Sequence, residues 1–182
     1  MLVDLDLRRP VLDSYFDLTD CPGLTHVMLG REDLEQALAP IPVVDEGESN
    51  AALNGSISGL LEVLPAGLLP PNPAEFARSH VLDKILARLQ ERADIVLIDA
   101  PPLIGLSDAR TISAKVDGLI VIARLSTLKR AILDELRRAL EGAPTVKLGF
   151  VLTGVSTEEA YGYGYAYDYG IGAPERELEP VR

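Results

Sequence analysis

The stretch IVLIDAPP, residues 95–102, is a continuous apolar run that ends on a carboxylate, Asp99, and is followed by two prolines. Apolar runs without polar alternation are typical of strands that are covered on both faces, as the inner strands of parallel sheets are. The sequence therefore predicts a central parallel strand here, with Asp99 at its carboxyl end.

Further strands and helices alternate along the chain around this run. The segments with strand or helix character are residues 1–3, 60–64, 81–93, 118–123, 128–140 and 148–153. Repeated strand–helix–strand units of this size are joined by right-handed crossovers. The pattern predicts an α/β fold with a doubly wound, mostly parallel sheet.

The 182 residues divide into a predicted domain and a predicted tail. Residues 1–158 carry the strand and helix patterns and are long enough to bury one core. Within them, residues 45–59 are acidic and rich in Ser, Asn and Gly, which predicts an exposed excursion. Residues 159–182 have no core-building periodicity, so we expect a flexible tail.

Composition and charge exclude several classes of function. The formal net charge is −11, which argues against sequence-independent binding of nucleic acid, because such binding needs a cationic surface. Cys21 is the only cysteine, and the two histidines, His26 and His80, are far apart and are interpreted as structural or surface residues. No stretch approaches the roughly 18 apolar residues of a membrane span. With no recognisable signal peptide, we expect a cytoplasmic protein.

Carboxylates follow two of the predicted strands. Asp4 ends the first strand, Asp6 comes shortly after it, and Asp99 ends the strand at residues 95–99. Ligands of parallel α/β sheets bind outside the carboxyl ends of the strands, where carboxylates hold hydrated Mg²⁺ or accept protons. Asp99 alone is a weak indication, because solvated acids at strand ends are common. The combination is more specific.

Several motifs occur in an order that resembles the bacterial tyrosine autokinases of capsule and exopolysaccharide synthesis, which are P-loop kinases. MLVDLDLRRP at residues 1–10 resembles their Walker A′ motif, a hydrophobic strand followed by D-x-D-x-R, and IVLIDAPP resembles their Walker B motif. Between these motifs lie PAG at residues 65–67 and PPNPAE at residues 70–75, and SDA at residues 107–109 also falls in family order. The resemblance covers roughly residues 1–170 and ends in a tyrosine-rich segment.

This resemblance implies roles for three carboxylates and one arginine. Asp4 would take the proton of a tyrosine hydroxyl, whose pKa of about 10 calls for a base. Asp6 and Asp99 would hold Mg²⁺ and its waters. Arg8 could contact the nucleotide, because phosphoryl transfer needs positive charge on the phosphates. The alternatives are a pair with an acid on a neighbouring subunit and a solvated basic turn. The implied cofactors are therefore ATP and Mg²⁺.

The tail supplies the implied phosphoacceptors. Five of the six tyrosines stand at alternate positions, with Gly162 and Gly164 between the first three, and they are Tyr161, Tyr163, Tyr165, Tyr167 and Tyr169. We expect them to accept phosphate in trans within a homo-oligomer, which the added charge of about −1.5 to −2 per phosphate would loosen. The alternative interpretation of the alternation is an edge strand or a sticky aromatic segment.

Two features depart from the family pattern. The sequence contains no G-x-x-x-x-G-K-[ST] loop, the loop that cradles phosphates. In the family this loop lies upstream of Walker A′ and follows its own central strand. The sequence is thus expected to begin inside the Walker A′ strand and to lack a strand beside the Walker B strand. Loss of that strand would leave apolar surface unburied. We expect the chain to be inactive alone. Thr153 and Gly154 stand where the family often has an asparagine near the adenine, which weakens any prediction of base contacts.

Three functions remain open from the sequence. The first is a tyrosine autokinase that works with a membrane-spanning polysaccharide chain-length regulator, fused or separate, at the inner face of the plasma membrane. The second is a non-catalytic remnant or regulatory module that docks to an intact kinase or to such a regulator. The third is a partitioning or division-site ATPase of the ParA/MinD kind, which the tyrosine-rich tail and the PPNP stretch disfavour.

Overall fold

The structure, a computed structural model, describes residues 1–44 and 57–155. Most of the predicted excursion at residues 45–59 and the predicted tail at residues 159–182, with its five tyrosines, lie outside the described residues. Within the described ranges, no helix is long and apolar enough to cross a membrane. The strands are β1 (Leu2–Asp4), β2 (Ala39–Val44), β3 (Ile57–Leu64), β4 (Leu97–Asp99), β5 (Gly118–Arg124) and β6 (Val146–Thr153).

Seven α-helices and one short 3-10 helix are found in the described part of the chain. The α-helices are α1 (Leu12–Tyr15), α2 (Leu24–Met28), α3 (Leu34–Ala37), α4 (Pro73–Arg78), α5 (His80–Arg92), α6 (Ser107–Ser113) and α7 (Arg130–Glu141), and the 3-10 helix is Leu125–Thr127. The predicted helices at residues 81–93 and 128–140 are α5 and α7, displaced by one or two residues at their ends.

Four strands form one sheet in the order β2-β3-β1-β4. β1 pairs in parallel with β3 on one side and with β4 on the other. β2 is antiparallel to β3 and lies at the edge. The mixed α/β class with a mostly parallel sheet is therefore confirmed.

Helix α5 packs the core beneath this sheet. The hydroxyl oxygen of Ser79 accepts the backbone N–H of Val81 at 3.1 Å, which satisfies one of the free amides at the helix start. The apolar side chains of α5 repeat at helical spacing, so they share one face of the helix. That face joins Val3 and Leu64 in the main core cluster and consists of Leu82, Ile85, Leu86 and Leu89. The packed layer fixes β1, and with it the loop that follows.

Strands β5 and β6 form a separate two-stranded parallel sheet. Both were predicted as strands, and both are found. Their continuous apolar runs also predict burial on both faces, which the structure does not show for most of their large side chains. The large apolar side chains that β5 and β6 expose are Ile120, Ile122, Val146, Leu148, Phe150, Val151 and Leu152. Burial depends on neighbouring layers, and among the described residues β5 and β6 pair only with each other.

Strand β4 is not the central, fully covered strand that its apolar run predicted. Within the described residues it pairs only with β1 and lies at the edge of its sheet. Leu97 is 55% exposed as a result. Among the described strands, β4 has a neighbour only in β1 and β5 only in β6. The expected missing strand beside the Walker B segment stays a prediction.

Candidate functional site

Strands β1 and β4 end side by side at one edge of the sheet. In their parallel register, Asp4 of β1 lies opposite Asp99 of β4. The backbone N–H of Leu5 donates to the carbonyl oxygen of Asp99 at 2.8 Å, which extends the pairing into the loop after β1. Asp6 follows in that loop. The structure thus brings the three predicted carboxylates to one end of the sheet.

Asp4 is fully enclosed, with an exposed fraction of 0%. Its Oδ1 accepts the backbone N–H of Asp6 at 3.1 Å. Its Oδ2 accepts the backbone N–H groups of Val11 and Leu12, at 3.0 and 3.1 Å. These bonds fold residues 5–12 back onto β1 at the start of α1. The role of Asp4 as a proton acceptor stays a prediction, since both oxygens are engaged by the loop.

Asp6 organises the same loop from a half-buried position. Its Oδ1 accepts the backbone N–H groups of Arg8 and Arg9, each at 3.1 Å. Among the residues that the structure describes, none donates a hydrogen bond to its Oδ2. One carboxylate oxygen of Asp6 therefore stays available to a ligand.

Arg8 is tied to helix α6 by an ion pair that the sequence did not reveal. Its Nε donates to Oδ2 of Asp108 at 2.7 Å, and the Asp108 side chain is only 3% exposed. Ser107 donates to the other Asp108 oxygen at 3.3 Å. A carboxylate this buried needs a cation as partner. The terminal amino groups of Arg8 have no partner in the described ranges, and its side chain is 40% exposed.

Burial and repulsion raise the pKa of two of the carboxylates. The pKa of Asp99 lies above its ordinary value, first because the group is withdrawn from water and then because of the charge of Asp6. Burial is also the largest cause of the raised pKa of Asp4, and the three N–H groups that it accepts act in the opposite direction. A cation bound nearby would stabilise the ionised forms of Asp4 and Asp99, which burial disfavours.

Asp6 and Asp99 are the residues that fit a magnesium ion. Mg²⁺ prefers oxygen ligands, keeps several of its waters, and is usually held by one or two carboxylates together with substrate phosphates. The described part of the chain contains no group of three side chains that could hold a metal. Two carboxylates could hold a hydrated ion that also contacts a phosphate, and the assignment of Asp6 and Asp99 to this role stays a prediction.

The PAG segment has a structural explanation in this fold. The backbone N–H groups of Leu24 and Thr25 donate to the carbonyl oxygens of Pro65 and Ala66, at 2.8 and 3.0 Å. Gly67 has a φ of 77°, and a side chain there would meet Nδ1 of His26 at 2.7 Å. His26 thus lies in a packed contact between segments, which agrees with its interpretation as a structural residue.

Comparison with known proteins relates the chain to kinases. No family model matches it. The chain is 27% identical over 164 residues to the tyrosine-protein kinase YwqD of Bacillus subtilis, covering 89% of this chain and 63% of YwqD. It is 32% identical over 160 residues to the tyrosine-protein kinase Ptk of Acinetobacter johnsonii, covering 88% of this chain and 20% of Ptk. The chain therefore spans less than two thirds of the curated relatives named here.

Solved structures show the same relationship. The kinase domain of VpsO superposes with a TM-score of 0.69 at 25% identity, covering 85% of this chain and 70% of that domain. The septum site-determining protein MinD of Pyrococcus horikoshii, solved with Mg-ADP, superposes less closely, with a TM-score of 0.57 at 22% identity, covering 86% of this chain and 58% of MinD. By sequence and by fold, this chain is a relative of the bacterial tyrosine-protein kinases.

Proposed function

We propose that this chain forms the carboxylate-bearing part of a protein-tyrosine autokinase site that uses ATP and Mg²⁺. One observation carries the proposal: Asp6, Asp99 and Arg8 lie at the ends of β1 and β4, in a chain related to tyrosine-protein kinases. The proposed reaction is transfer of the terminal phosphoryl group of ATP to a tyrosine hydroxyl.

Each residue of the site contributes through its charge and its place. Bound Mg²⁺ would neutralise charge that develops on the phosphate oxygens. Asp6 and Asp99 would hold the ion through its waters or directly. Arg8 would offer its free terminal amino groups to a phosphate oxygen, while Asp108 holds the Nε edge of the guanidinium. The resemblance assigns proton acceptance to Asp4.

The proposed substrate is the tyrosine-rich segment from Tyr161 to Tyr169 of another copy of the chain. Gly162 and Gly164, which separate the first three of these tyrosines, add no side-chain bulk where the segment would approach a site closely. A tail that follows the last strand can reach a neighbouring subunit by extension, and a homo-oligomer raises the effective concentration of such tails. Phosphates added to the tail would repel one another and the acidic body.

The proposal needs a phosphate-binding loop, and this sequence has no G-x-x-x-x-G-K-[ST] motif. The open edge of β4 offers a place beside Asp99 where a further parallel strand could pair and deliver such a loop. We place that strand either in a longer polypeptide or in a partner. The proposed setting is capsule or exopolysaccharide synthesis at the inner face of the plasma membrane, with a membrane-spanning chain-length regulator.

A non-catalytic role is the second candidate function. The same open edge of β4 and the exposed apolar side chains of β5 and β6 favour it, because such surfaces dock onto other proteins. In this case the chain would bind an intact kinase or its membrane regulator without transferring phosphate.

Transfer in trans is expected when the domain is completed by a strand and phosphate-binding loop. A completed subunit that ends at residue 158 would be mixed with a completed Asp99→Asn subunit that keeps its tail, in Mg-ATP. The tail of the Asp99→Asn subunit should become labelled, because the first subunit supplies the site and the second supplies only tyrosines. Phosphotyrosine on each subunit would be followed by mass spectrometry.

The matched control is the Asp99→Asn subunit incubated alone, which should stay unlabelled. Labelling of that control would show that Asp99 is dispensable. A mixture that stays unlabelled, although the intact completed protein labels itself, would contradict transfer in trans and favour transfer within one subunit.

A further inference from the structure

Strands β5 and β6, together with helix α7 between them, form a unit of residues 118–153 that stands apart from the first sheet. Its two strands pair with each other and with no strand of that sheet. The two core clusters of the described residues contain side chains of the first sheet and its helices, and none of β5, α7 or β6. These clusters therefore do not hold the β5–β6 unit in place.

Helix α6 packs with the first sheet and leads directly into the β5–β6 unit. Ile112 of α6 lies in the main core cluster. Just after the helix, the backbone N–H of Lys115 donates to the carbonyl oxygen of Ile112 at 2.9 Å, and its ammonium group pairs with Asp83 of α5. Val116 and Asp117 are the two residues that remain between this anchored end and β5. They are the covalent connection about which the unit could turn.

A second connection is a hydrogen bond at Thr145, the residue before β6. Its hydroxyl donates to the carbonyl oxygen of Ser113, the last residue of α6. Thr145 is 8% exposed and Ser113 is 3% exposed, so the bond is shielded from water. Among the described residues, the other side-chain hydrogen bonds of residues 118–153 stay inside the unit. The Thr145 hydroxyl therefore ties the unit to the helix that leads into it.

We propose that the β5–β6 unit is hinged on the rest of the chain: it turns at Val116 and Asp117, and the Thr145 hydroxyl latches it to α6. A single hydrogen bond makes a small net contribution to stability, so the latch can open while the first sheet stays folded. On the proposed function, this movement would let the unit adjust to a further strand that pairs with β4. Only this use of the hinge rests on the proposed function.

The test compares three single substitutions in the full chain. Thr145→Val keeps the shape of the side chain and removes the hydroxyl donor, so the buried carbonyl of Ser113 loses this partner. Thr145→Ser keeps a hydroxyl and should restore the latch. Thr127→Val is the matched control, because the Thr127 hydroxyl donates to the carbonyl oxygen of Arg124 at 2.8 Å, inside the unit.

The measurement is the distance between two spin labels, determined by pulsed electron paramagnetic resonance on a Cys21→Ser background. Labels at Glu91→Cys on α5 and Glu135→Cys on α7 report across the hinge, and both positions are exposed. A second pair, at Glu32→Cys and Glu91→Cys, reports on the first sheet and its helices alone.

Thr145→Val should raise the fraction of molecules outside the closed Glu91–Glu135 distance by about 5- to 10-fold, the weight of one hydrogen bond. Thr145→Ser and Thr127→Val should leave that fraction unchanged. The Glu32–Glu91 distance should stay constant in every variant, which separates movement at the hinge from general loosening of the fold.

Two results would overturn the inference. One is a Thr145→Val chain whose Glu91–Glu135 distances match those of Thr127→Val. The other comes from the chain with Thr145 intact and serves if Thr145→Val does not fold. In urea below the unfolding midpoint, the Glu91–Glu135 distance should spread before the Glu32–Glu91 distance does, and simultaneous spreading would show that the chain opens as one unit. Neither measurement uses nucleotide, so a failed phosphotransfer assay would leave the hinge standing.

Discussion

Replacing Asp99 with asparagine is expected to raise the stability of the folded chain at neutral pH. Its folded-state pKa lies above the ordinary value of 3.8, chiefly through burial and then through the charge of Asp6. The contribution of Asp99 to the free energy of unfolding is therefore fully present below pH 3.8, and it is lost as the pH rises through the folded-state pKa. At neutral pH the ionised group costs stability, and the amide removes that cost.

The expected gain for Asp99→Asn is about 1 kcal/mol at neutral pH, typical of relieving an unfavourable site residue. Urea unfolding at pH 7 would measure it, with Asp20→Asn as the charge-matched control. The difference in unfolding free energy between Asp99→Asn and the unsubstituted chain should shrink to nearly nothing near pH 3. Asp99 is then largely protonated in both the folded and the unfolded state, so linkage removes the difference. A loss of stability at pH 7, or a gain that persists unchanged at low pH, would contradict this account.

Leu89→Ala and Leu97→Ala are expected to differ sharply although they delete the same atoms. Leu89 is 0% exposed in the core beneath the sheet, so its truncation should cost about 2–5 kcal/mol through lost transfer energy and a residual cavity. Leu97 on β4 is 55% exposed, so its truncation should cost less than about 1 kcal/mol in this chain. Urea unfolding would give both losses in unfolding free energy, from the midpoints of transitions that have the same slope.

The same pair also tests the open edge of β4. If a further strand and its helix cover β4 in the completed protein, Leu97→Ala should become costly there, approaching the cost of Leu89→Ala. An unchanged small cost for Leu97→Ala in a completed and active protein would show that β4 is an edge strand by design.

The sequence predicted where strands lie better than what covers them. The apolar run at residues 95–99 contains strand β4 and the run at residues 118–123 lies within β5, because their side chains favour extended backbone. Burial is a property of neighbours, and no periodicity reports whether a neighbour is present. The predicted coverage of β4 on both faces failed for that reason.

Strand β2 was missed for a different physical reason. Pro40 and Pro42 lie within it, and proline cannot donate to a sheet ladder, which argues against a strand. The strand forms because it is at the edge of the sheet, antiparallel to β3. Edge position depends on the order of strands in space, which the local sequence does not encode.

The candidate site was predicted in outline from two strand ends. Asp4 and Asp99 were predicted at strand ends, where ligands of parallel α/β sheets bind, and the structure adds that they lie opposite each other. The enclosure of Asp4 was beyond the sequence, since it arises from backbone N–H groups of Val11 and Leu12. The Arg8–Asp108 pair joins residues 100 positions apart, and the SDA segment that contains Asp108 did not indicate its partner.

Mapping of phosphate in the completed protein tests the central claim most directly. After incubation with Mg-ATP, mass spectrometry should find phosphate on Tyr161 to Tyr169, and Asp99→Asn should lower it by roughly 100-fold or more, the effect of losing about 3 kcal/mol of transition-state stabilisation. Tyr15 is 80% exposed and serves as an internal control for accessibility alone. Phosphate chiefly on Tyr15, or tail labelling that survives Asp99→Asn at its full rate, would contradict the proposed autokinase.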